Sequence, residues 1–351
     1  MPTADVQPDS ARILGDVAAA FGLGRVLDVQ VLTAGTMNRS WRVHAAGGTA
    51  AVKEVLDVDA VAARRQAVVC QALADRGLPV PTPLLTAAGD HLVERAGVVY
   101  TAARWVTGVS RAGAELTMAE AAGLGTLLAD VHDALGAVLP TAPPMVVEPV
   151  CEVAAADEQL ARYGALAAAA GGDAMDTFVV AEVPRRRRLL NGVADRRPVS
   201  GVLCGPAGWI HGDYQHNNLV WQAGAVAGVL DWDRLRVRPV AAELVRAAML
   251  IFAAEPGPGL DLPRVGAFVC GYRARRVLPD AAIEDAADRL WWDRVCETWH
   301  LRLRYERGDT SCDGFFRSAS GLLEWWTQRR DEVLEALLGS VAQVEPEILE
   351  C

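Results

Sequence analysis

The sequence predicts an α+β fold with two lobes, an N-terminal antiparallel sheet with one main helix and a larger, mostly helical C-terminal lobe. Three observations predict it. Short β-prone runs separated by turn residues occupy positions 26–104. From Thr117 onward, apolar residues recur with helical spacing. The length of 351 residues suits a two-lobed unit. We expect a first lobe over residues 1–104, a hinge at 105–108 and a second lobe over 109–351.

Composition excludes several classes of protein. The net charge of −10 argues against nucleic acid as the main partner, because that would require a basic surface. Seven scattered cysteines without CxxC spacing indicate reduced thiols, as in a cytosol. The N-terminus does not have the pattern of a signal peptide, and no apolar run suits a membrane span. We expect a cytoplasmic monomer or homodimer.

The first lobe begins with a helix at residues 10–21 and three strands at 26–33, 41–44 and 49–55. The last of these strands carries Lys53, the only lysine in the chain. A turn precedes the second strand and contributes Gly35, Thr36, Asn38 and Ser40. A glycine-containing turn, followed one hairpin later by a lysine, is typical of phosphate binding, with backbone N–H groups facing phosphate oxygens.

The rest of this lobe contains a helix, more strands and the hinge. The helix at residues 59–76 should bury one face, formed by Val61, Val68, Val69 and Leu73. Strands at 84–87, 91–94 and 98–103 would complete a sheet of five or six strands. The hinge backbone, at Arg104, Trp105 and Val106, is expected to bind the edge of an adenine or guanine base.

Residues 209–233 carry the strongest chemical pattern. The polar run HGDYQHNN lies between β-prone runs, and the next strand ends in LDWD. This places Asp213, Asn218 and Asp231 at the ends of apolar segments. Phosphoryl transfer needs one carboxylate to accept a hydroxyl proton, and an amide and a second carboxylate to hold Mg²⁺. A hairpin with polar turns is the plainer alternative, and the spacing of five from Asp213 to Asn218 argues against it.

The second lobe is predicted to be a succession of helices. They are expected at residues 117–135, 151–170, 180–194, 239–252, 263–277, 280–307 and 315–338. His132 is interpreted as a structural histidine near the end of the first. The basic run at 185–188 is interpreted as a solvated helix face.

One of these helices carries candidate acceptor-binding residues. They are Asp285, Asp288, Asp293, Glu297 and Trp299. Asp293 and Glu297 have i, i+4 spacing and would share a face of one helix. Such a face would suit an amino-bearing or polyhydroxylated molecule, whereas ordinary helix packing explains most of the neighbouring aromatic residues.

The motifs HGDYQHNN and GVLDWD resemble those of the aminoglycoside phosphotransferase–choline kinase superfamily, whose members are small-molecule relatives of protein kinases. The resemblance covers most of the chain. It includes the Gly35–Ser40 turn, Lys53, the PVP at 79–81, the LLADVH helix and the helix after DWD. It implies a protein-kinase-like fold, ATP or GTP as phosphate donor, and Mg²⁺.

The resemblance also implies roles for individual residues. Asp213 would be the catalytic base, and Asn218 and Asp231 would bind Mg²⁺. Lys53 would contact the α- and β-phosphates, and His211 would shape the catalytic loop. Two positions depart from the family pattern. Gln66 stands where a glutamate usually pairs with the lysine, and Glu243 replaces an aspartate that supports the structure.

Several functions remain open at this point. The first is phosphorylation of an aminoglycoside or another antibiotic, for resistance or self-protection. The second is phosphorylation of a metabolite such as an amino sugar, homoserine or a choline-like alcohol. The third is a catalytically silent nucleotide-binding relative, against which the intact Lys53, Asp213, Asn218 and Asp231 count. A protein kinase is disfavoured, because the chain enters a helix soon after DWD.

Overall fold

The structure is a computed structural model that describes residues 8–32, 38–201, 203–254 and 257–339. The chain divides into two compact units. The first comprises the chain up to Arg111, Asp130–Ala142 and Trp209–Val237, and the second comprises Ala112–Ala129, Pro143–Gly208 and the chain from Arg238. The lobe boundaries proposed around residues 104–109 stay a prediction.

An antiparallel sheet dominates the first unit. Its strands within the described residues are β1 Val26–Leu32, β2 Arg39–Ala45, β3 Gly48–Glu54, β4 Leu92–Arg95 and β5 Val98–Arg104, in the order β1-β2-β3-β5-β4. The strand predicted at 84–87 is wrong. Leu84 N donates to Ala102 O, but the chain then closes a turn in which Thr86 N donates to Asp90 O. The sheet therefore has five strands in this part of the chain.

Two helices of this unit are α1 Pro8–Ala20 and α2 Ala60–Ala74. The hydrophobic core lies between α1 and one face of the sheet, where Leu14 and Val17 of the helix are buried with Val43 and Val52 of the strands. Because side chains alternate along a strand, the burial of Val52 on this face places Lys53 on the opposite face. The N-terminal helix thus covers the face of the sheet that does not carry the lysine.

Helices make up most of the rest of the chain. They are α3 Met118–Val138, α4 Val153–Ala170, α5 Ala174–Gly192, α6 Val240–Ile251, α7 Leu262–Arg275, α8 Asp280–Cys296, α9 Trp299–Arg307, α10 Asp313–Gln328 and α11 Arg330–Leu337. Short strands are β6 Val146–Val147, β7 Leu203–Cys204, β8 Ala207–Ile210, β9 Leu219–Gln222, β10 Ala225–Val229 and β11 Arg236–Pro239. The predicted α+β fold class is confirmed.

Two expectations about these helices are wrong. The helix predicted over 280–307 ends at Cys296, because Glu297 has extended backbone angles (φ −68°, ψ 137°), and α9 then begins at Trp299. The basic run on α5 is not wholly solvated either. Arg186 is buried, and its guanidinium donates to Glu297 O at 3.0 Å and to Ser320 Oγ at 3.1 Å.

Further findings concern the cysteines, the helices and His132. The cysteines in the described residues are free thiols, as predicted. Across the same residues, no helix has both the length and the apolar character needed to cross a membrane. His132 is buried, as expected for a structural histidine.

Candidate active site

Lys53 lies in β3, a strand with a neighbour on each side. Its register partners are Ser40 in β2 and Thr101 in β5. The lysine Nζ lies 3.0 and 2.9 Å from the two carboxylate oxygens of Asp233, and 3.5 Å from Asp231 Oδ1. Burial by itself lowers the pKa of Lys53, but the two carboxylates outweigh it and raise the pKa above its ordinary value. The ammonium group therefore stays charged.

The acidic segment, residues 231–233, follows β10 and is held in place by its tryptophan, Trp232. Trp232 is buried, its indole Nε1 donates to Val229 O at 2.9 Å, and its ring meets the His211 ring edge-on with centroids 4.5 Å apart. Asp231 has left-handed backbone angles (φ 62°, ψ 73°), which are unfavourable for a residue with a side chain. Such strain persists where the surrounding structure imposes it, and the next residue, Trp232, is both buried and hydrogen-bonded.

The two acids of this segment differ in exposure. The side chain of Asp231 is 46% exposed and that of Asp233 is 11% exposed. Burial raises the pKa of the Asp231 carboxyl, Lys53 opposes this and Asp233 adds to it. Because nearly half of that side chain is in contact with solvent, water screens these interactions.

The run HGDYQHNN folds into a tight loop that ends in a 3₁₀ turn, His216–Asn218. The turn brings Asn218 back to Asp213. Asn218 Nδ2 donates to the Asp213 carboxylate at 3.0 Å and to its main-chain carbonyl at 2.9 Å, and Gln215 Nε2 donates to the same carboxylate at 2.8 Å. The structure therefore brings together the predicted base and the predicted amide ligand.

His211 connects this loop to the acidic segment. The histidine is buried, and its Nδ1 accepts from Asp213 N at 3.1 Å, so its Nε2 carries the proton and donates to Leu230 O at 2.9 Å. Leu230 N in turn donates to Asn218 O at 2.8 Å. These bonds fix the loop carrying Asp213 to the residue just before Asp231, which fits the loop-shaping role expected of His211.

The residues predicted to bind nucleotide are placed in part. Asn38 Nδ2 donates to Asp233 Oδ2 at 2.6 Å, and Asn38 Oδ1 accepts from Leu56 N at 2.7 Å and Asp57 N at 3.1 Å. Ser40 lies beside Lys53 in the sheet. Gly35 and Thr36 lie outside the described residues.

The predicted hinge has some of its backbone groups already engaged. Arg104 N donates to Thr82 O at 2.8 Å, and Trp105 N donates to Thr49 O at 3.1 Å. The Arg42 guanidinium lies over the Trp105 ring, 4.9 Å from its centroid. A base edge would therefore have to meet other backbone groups of this segment, so the assignment of Arg104, Trp105 and Val106 to the nucleotide stays a prediction.

Gln66 and Glu243, the two positions that depart from the family pattern, lie on α2 and α6. Gln66 lies on α2, and its Nε2 donates to the main-chain carbonyl of Asp233 at 3.4 Å, so it contacts the acidic segment and not Lys53. Glu243 is buried in the first turn of α6. Its structural role stays a prediction.

The donor set around Asn218 and Asp231 fits Mg²⁺. This ion takes oxygen ligands and usually binds one or two protein groups together with phosphate oxygens and water, so a cage made wholly of protein is not required. No group of three or more His, Cys, Asp or Glu side chains suited to a metal occurs among the described residues. Because Asn218 Nδ2 faces oxygens of Asp213, its Oδ1 is the atom left for a cation. When bound, the ion would neutralise phosphate charge.

The predicted acceptor-binding acids belong to the second unit, and most of them are paired with arginines. Asp285 lies 2.9 Å from Arg289, Asp288 lies 2.5 Å from Arg330, and Glu297 lies 3.0 Å from Arg294. Glu297 is the C-cap residue of α8 and its N–H donates to Asp293 O at 2.8 Å, so the expected i, i+4 relation between the two acids is kept at the end of the helix. The free acidic face inferred from the sequence is therefore largely neutralised.

Asp293 and Trp299 keep exposed surface. Desolvation of the Asp293 carboxyl raises its pKa to about 6, while the residue as a whole keeps exposed surface. Trp299 is 39% exposed and stacks on His300 with ring centroids 3.6 Å apart. Of the five predicted residues, these two present the most open surface to a ligand.

Comparison with known proteins identifies the family. The model of the Phosphotransferase enzyme family matches residues 28–278. The chain belongs to this phosphotransferase family. The resemblance based on the HGDYQHNN and GVLDWD motifs is thereby confirmed, and so is the assignment as a phosphotransferase enzyme. No curated protein sequence is significantly similar to this phosphotransferase.

Solved structures of other phosphotransferases share the fold. An amicoumacin kinase in complex with AMP-PNP, Ca²⁺ and Ami has a TM-score of 0.61 and 16% identity, covering 91% of this chain and 94% of its own. A spectinomycin phosphotransferase in complex with ADP and spectinomycin has a TM-score of 0.64 and 13% identity, covering 94% and 98%. A microcompartment-associated aminopropanol kinase has a TM-score of 0.58 and 17% identity, covering 92% and 99%.

Sequence reasoning overlooked one central residue of this phosphotransferase. Asp233 is the nearest acid to Lys53 and also binds Asn38, yet only the first acid of the DWD motif was assigned a role. A signal was present in the sequence, because Gln66 left the lysine without its usual charged partner and a second carboxylate stood two positions after Asp231.

Proposed function

We propose that this phosphotransferase moves the γ-phosphate of ATP or GTP to a hydroxyl of a small, amino-bearing molecule, and that the leading acceptors are aminoglycosides and other antibiotics. The observation that carries the proposal is the grouping, within one compact unit of a phosphotransferase, of Lys53 with Asp231, and of Asp213 with Asn218. These are the side chains that phosphoryl transfer requires.

In the proposed reaction, the acceptor oxygen forms a bond to the γ-phosphorus as the bond to the β–γ bridging oxygen breaks. The nucleoside diphosphate leaves, and the hydroxyl proton passes to Asp213. Amide groups of Gln215 and Asn218 donate to that carboxylate and so hold it in one orientation. Since the pKa of a hydroxyl lies far above neutrality, Asp213 acts late and mainly through positioning.

Lys53 supplies fixed positive charge to the phosphates in this proposal. Its Nζ is already positioned by carboxylates on the face of the sheet away from the core, so little reorganisation is needed on nucleotide binding. Asn218 and Asp231 would hold Mg²⁺, which adds positive charge at the same phosphates.

The proposed amino-bearing acceptor rests on charge. The chain carries a net charge of −10, and Asp293 remains exposed beside the paired acids of α8. A metabolite alcohol with an amino group is the second candidate, because the same charge would favour it equally. The aminopropanol kinase and the spectinomycin phosphotransferase named above represent these two classes and set the choice of test compounds.

The proposal is tested by nucleoside diphosphate release. Purified protein is screened with ATP and with GTP against aminoglycosides, peptide antibiotics, spectinomycin, amino sugars and amino alcohols. We expect release with at least one acceptor. Asp213→Asn should lower kcat by about 100-fold or more and leave nucleotide affinity nearly unchanged, because it removes the proton acceptor and keeps the side-chain shape.

A matched control is Asp90→Asn. Asp90 forms an exposed ion pair with Arg64 at 2.8 Å in the same unit, and its loss should leave kcat unchanged. Full activity of Asp213→Asn would overturn the assignment of the base. Tight nucleotide binding without release for any acceptor would favour the catalytically silent relative.

A further inference from the structure

Lys53 has a bidentate carboxylate partner that does not come from α2. Both oxygens of Asp233 lie within 3.0 Å of the lysine Nζ, whereas the nearest oxygen of Asp231 is 3.5 Å away. The lysine and Asp233 side chains are 29% and 11% exposed. An ion pair so shielded is stronger than a surface pair and costs more to break, because removing one partner leaves a charge without compensation.

Asp233 is itself held on several sides. Asn38 Nδ2 donates to its Oδ2 at 2.6 Å, and Asn38 is fixed in turn by the main-chain N–H groups of Leu56 and Asp57. The preceding residue, Trp232, is buried. The carboxylate is therefore oriented before any nucleotide binds, and it can hold the lysine in one position.

The α2 helix also contacts Asp233, but with an uncharged side chain. Gln66 Nε2 contacts the main-chain carbonyl of Asp233. Cys70, one turn further along α2, is buried, and burial raises the pKa of its thiol to about 12, with Lys53 and Asp233 as the charged groups that act on it. Through Gln66, α2 therefore contacts the residue that holds Lys53, and position 66 is the place on this helix from which a glutamate could approach the lysine.

We propose that Asp233 is the positioning residue for Lys53 in this phosphotransferase, and that it replaces the charged group that α2 would otherwise present at position 66. Gln66 then serves to hold the main chain of Asp233. The inference rests on the proposed role of Lys53 at the nucleotide phosphates. It separates the two acids of the DWD motif, since the more exposed Asp231 is left for the metal and the less exposed Asp233 for the lysine.

The test moves the negative charge from Asp233 to position 66 on α2. Asp233→Asn should lower kcat by about 10- to 100-fold, because Lys53 loses its bidentate partner. Gln66→Glu alone should give no gain, since two carboxylates would then compete for one lysine. In the double variant Asp233→Asn/Gln66→Glu, the same glutamate should recover about 10-fold of the lost activity.

A second readout does not depend on the acceptor. The affinity for ADP is measured by calorimetry for the same variants, with Lys53→Met defining the loss when the lysine is absent. We expect Asp233→Asn to weaken ADP binding toward the Lys53→Met value, and the double variant to bind more tightly than Asp233→Asn. A gain from Gln66→Glu that appears only in the Asp233→Asn background is not expected of a merely structural residue.

Asp90→Asn is again the matched control, and thermal unfolding of each variant reports on folding. If Asp233→Asn does not fold, the double variant still decides, because it restores the charge balance. A folded double variant with activity supports the proposal, and one that is folded and inactive overturns it. Unchanged kinetics and ADP affinity in Asp233→Asn would overturn it too. Failure of the proposed function is distinct, because wild-type protein would then release no nucleoside diphosphate.

Discussion

At the scale of single residues, the loop that carries Asp213 depends on a close approach of two backbone segments. Gly212, between His211 and Asp213, has φ 87°, and a Cβ atom built there would lie 2.3 Å from the main-chain oxygen of Arg234. Only glycine satisfies both conditions, a left-handed backbone and no room for a side chain. The glycine therefore lets the loop with Asp213 pass beside the residues that follow Asp233.

Substitution of this glycine is a residue-scale prediction. Gly212→Ala should lower the free energy of unfolding by about 2 kcal/mol or more and reduce kcat. The new methyl group would overlap the main-chain oxygen of Arg234, and backbone cannot give way as easily as the end of a flexible side chain. Denaturant unfolding and the nucleoside diphosphate assay measure the two effects.

A control at Gly224 separates the cost of backbone strain from the cost of steric overlap with Arg234. Gly224, in the turn between β9 and β10, has a similar φ of 81°, but a Cβ there would meet no atom within 4 Å. Gly224→Ala should cost about 1 kcal/mol, from backbone strain alone, and leave kcat unchanged. Equal effects of the two substitutions would show that the contact with Arg234 is unimportant.

At the scale of elements, α2 buries only part of the face that was expected. Val69 and Leu73 are buried as predicted, but Val61 and Val68 are 65% and 51% exposed. The rest of the buried face is formed by Ala63, Ala67 and Cys70. The prediction weighted large apolar residues. Small side chains let the helix come close to its neighbours, and this brings Gln66 within reach of Asp233.

The N-terminus of α2 yields an element-scale prediction. Asp59 is its N-cap, and the carboxylate accepts from Ala62 N at 2.7 Å. Asp59→Ala should lower the free energy of unfolding by about 1 kcal/mol, since that N–H loses its acceptor. Asp59→Asn keeps a side-chain oxygen and should cost much less. Denaturant unfolding checks both, and equal losses would argue against capping by Asp59.

At the scale of the whole molecule, the second unit buries charged and titratable groups among its helices. Arg186 is buried on α5 with its guanidinium centre 5.0 Å from the Phe316 ring centroid, and His300 is buried on α9. Burial, with help from Arg186 and Arg294, lowers the pKa of His300 from 6.5 to about 3. Within the described chain, His300 Nδ1 has no hydrogen-bond partner. The histidine is therefore neutral in the folded protein near neutral pH.

This histidine makes stability depend on pH. Below pH 6.5 the unfolded chain binds a proton at His300 that the folded chain does not accept until about pH 3. Its stabilising contribution is therefore complete above pH 6.5 and is lost as the pH falls toward 3, by at most about 1.4 kcal/mol per pH unit. His300→Phe keeps an aromatic ring beside Trp299 and Phe316 and should flatten this part of the stability profile.

The comparison uses denaturant unfolding at several pH values between 4 and 7, a range of about three units over which the effect should be measurable. His44→Gln is the control, because His44 is an exposed histidine on β2. It should leave the profile unchanged. An identical pH profile for wild-type protein and His300→Phe would contradict the prediction.

The sequence alone determined which residues could carry the chemistry and in which order they follow one another along the chain. The single lysine, the Asp213–Asn218 spacing and the acid after a β-prone run predicted a phosphotransferase, because short loops and strand ends constrain neighbours in sequence to lie close in space. The α+β class followed from the change between strand and helix periodicity. These are local properties of the sequence, and they predict the fold class and the reaction type without any knowledge of packing.

Tertiary structure decided which charges meet. Asp233 becomes the partner of Lys53 although 180 positions separate them, and Asn38 reaches the same carboxylate across 195 positions. Likewise, arginines neutralise Asp285, Asp288 and Glu297, which the sequence presented as a free acidic face. Ion pairing depends on distances between segments that are remote in sequence, and a linear pattern carries no information about those distances until the chain has packed.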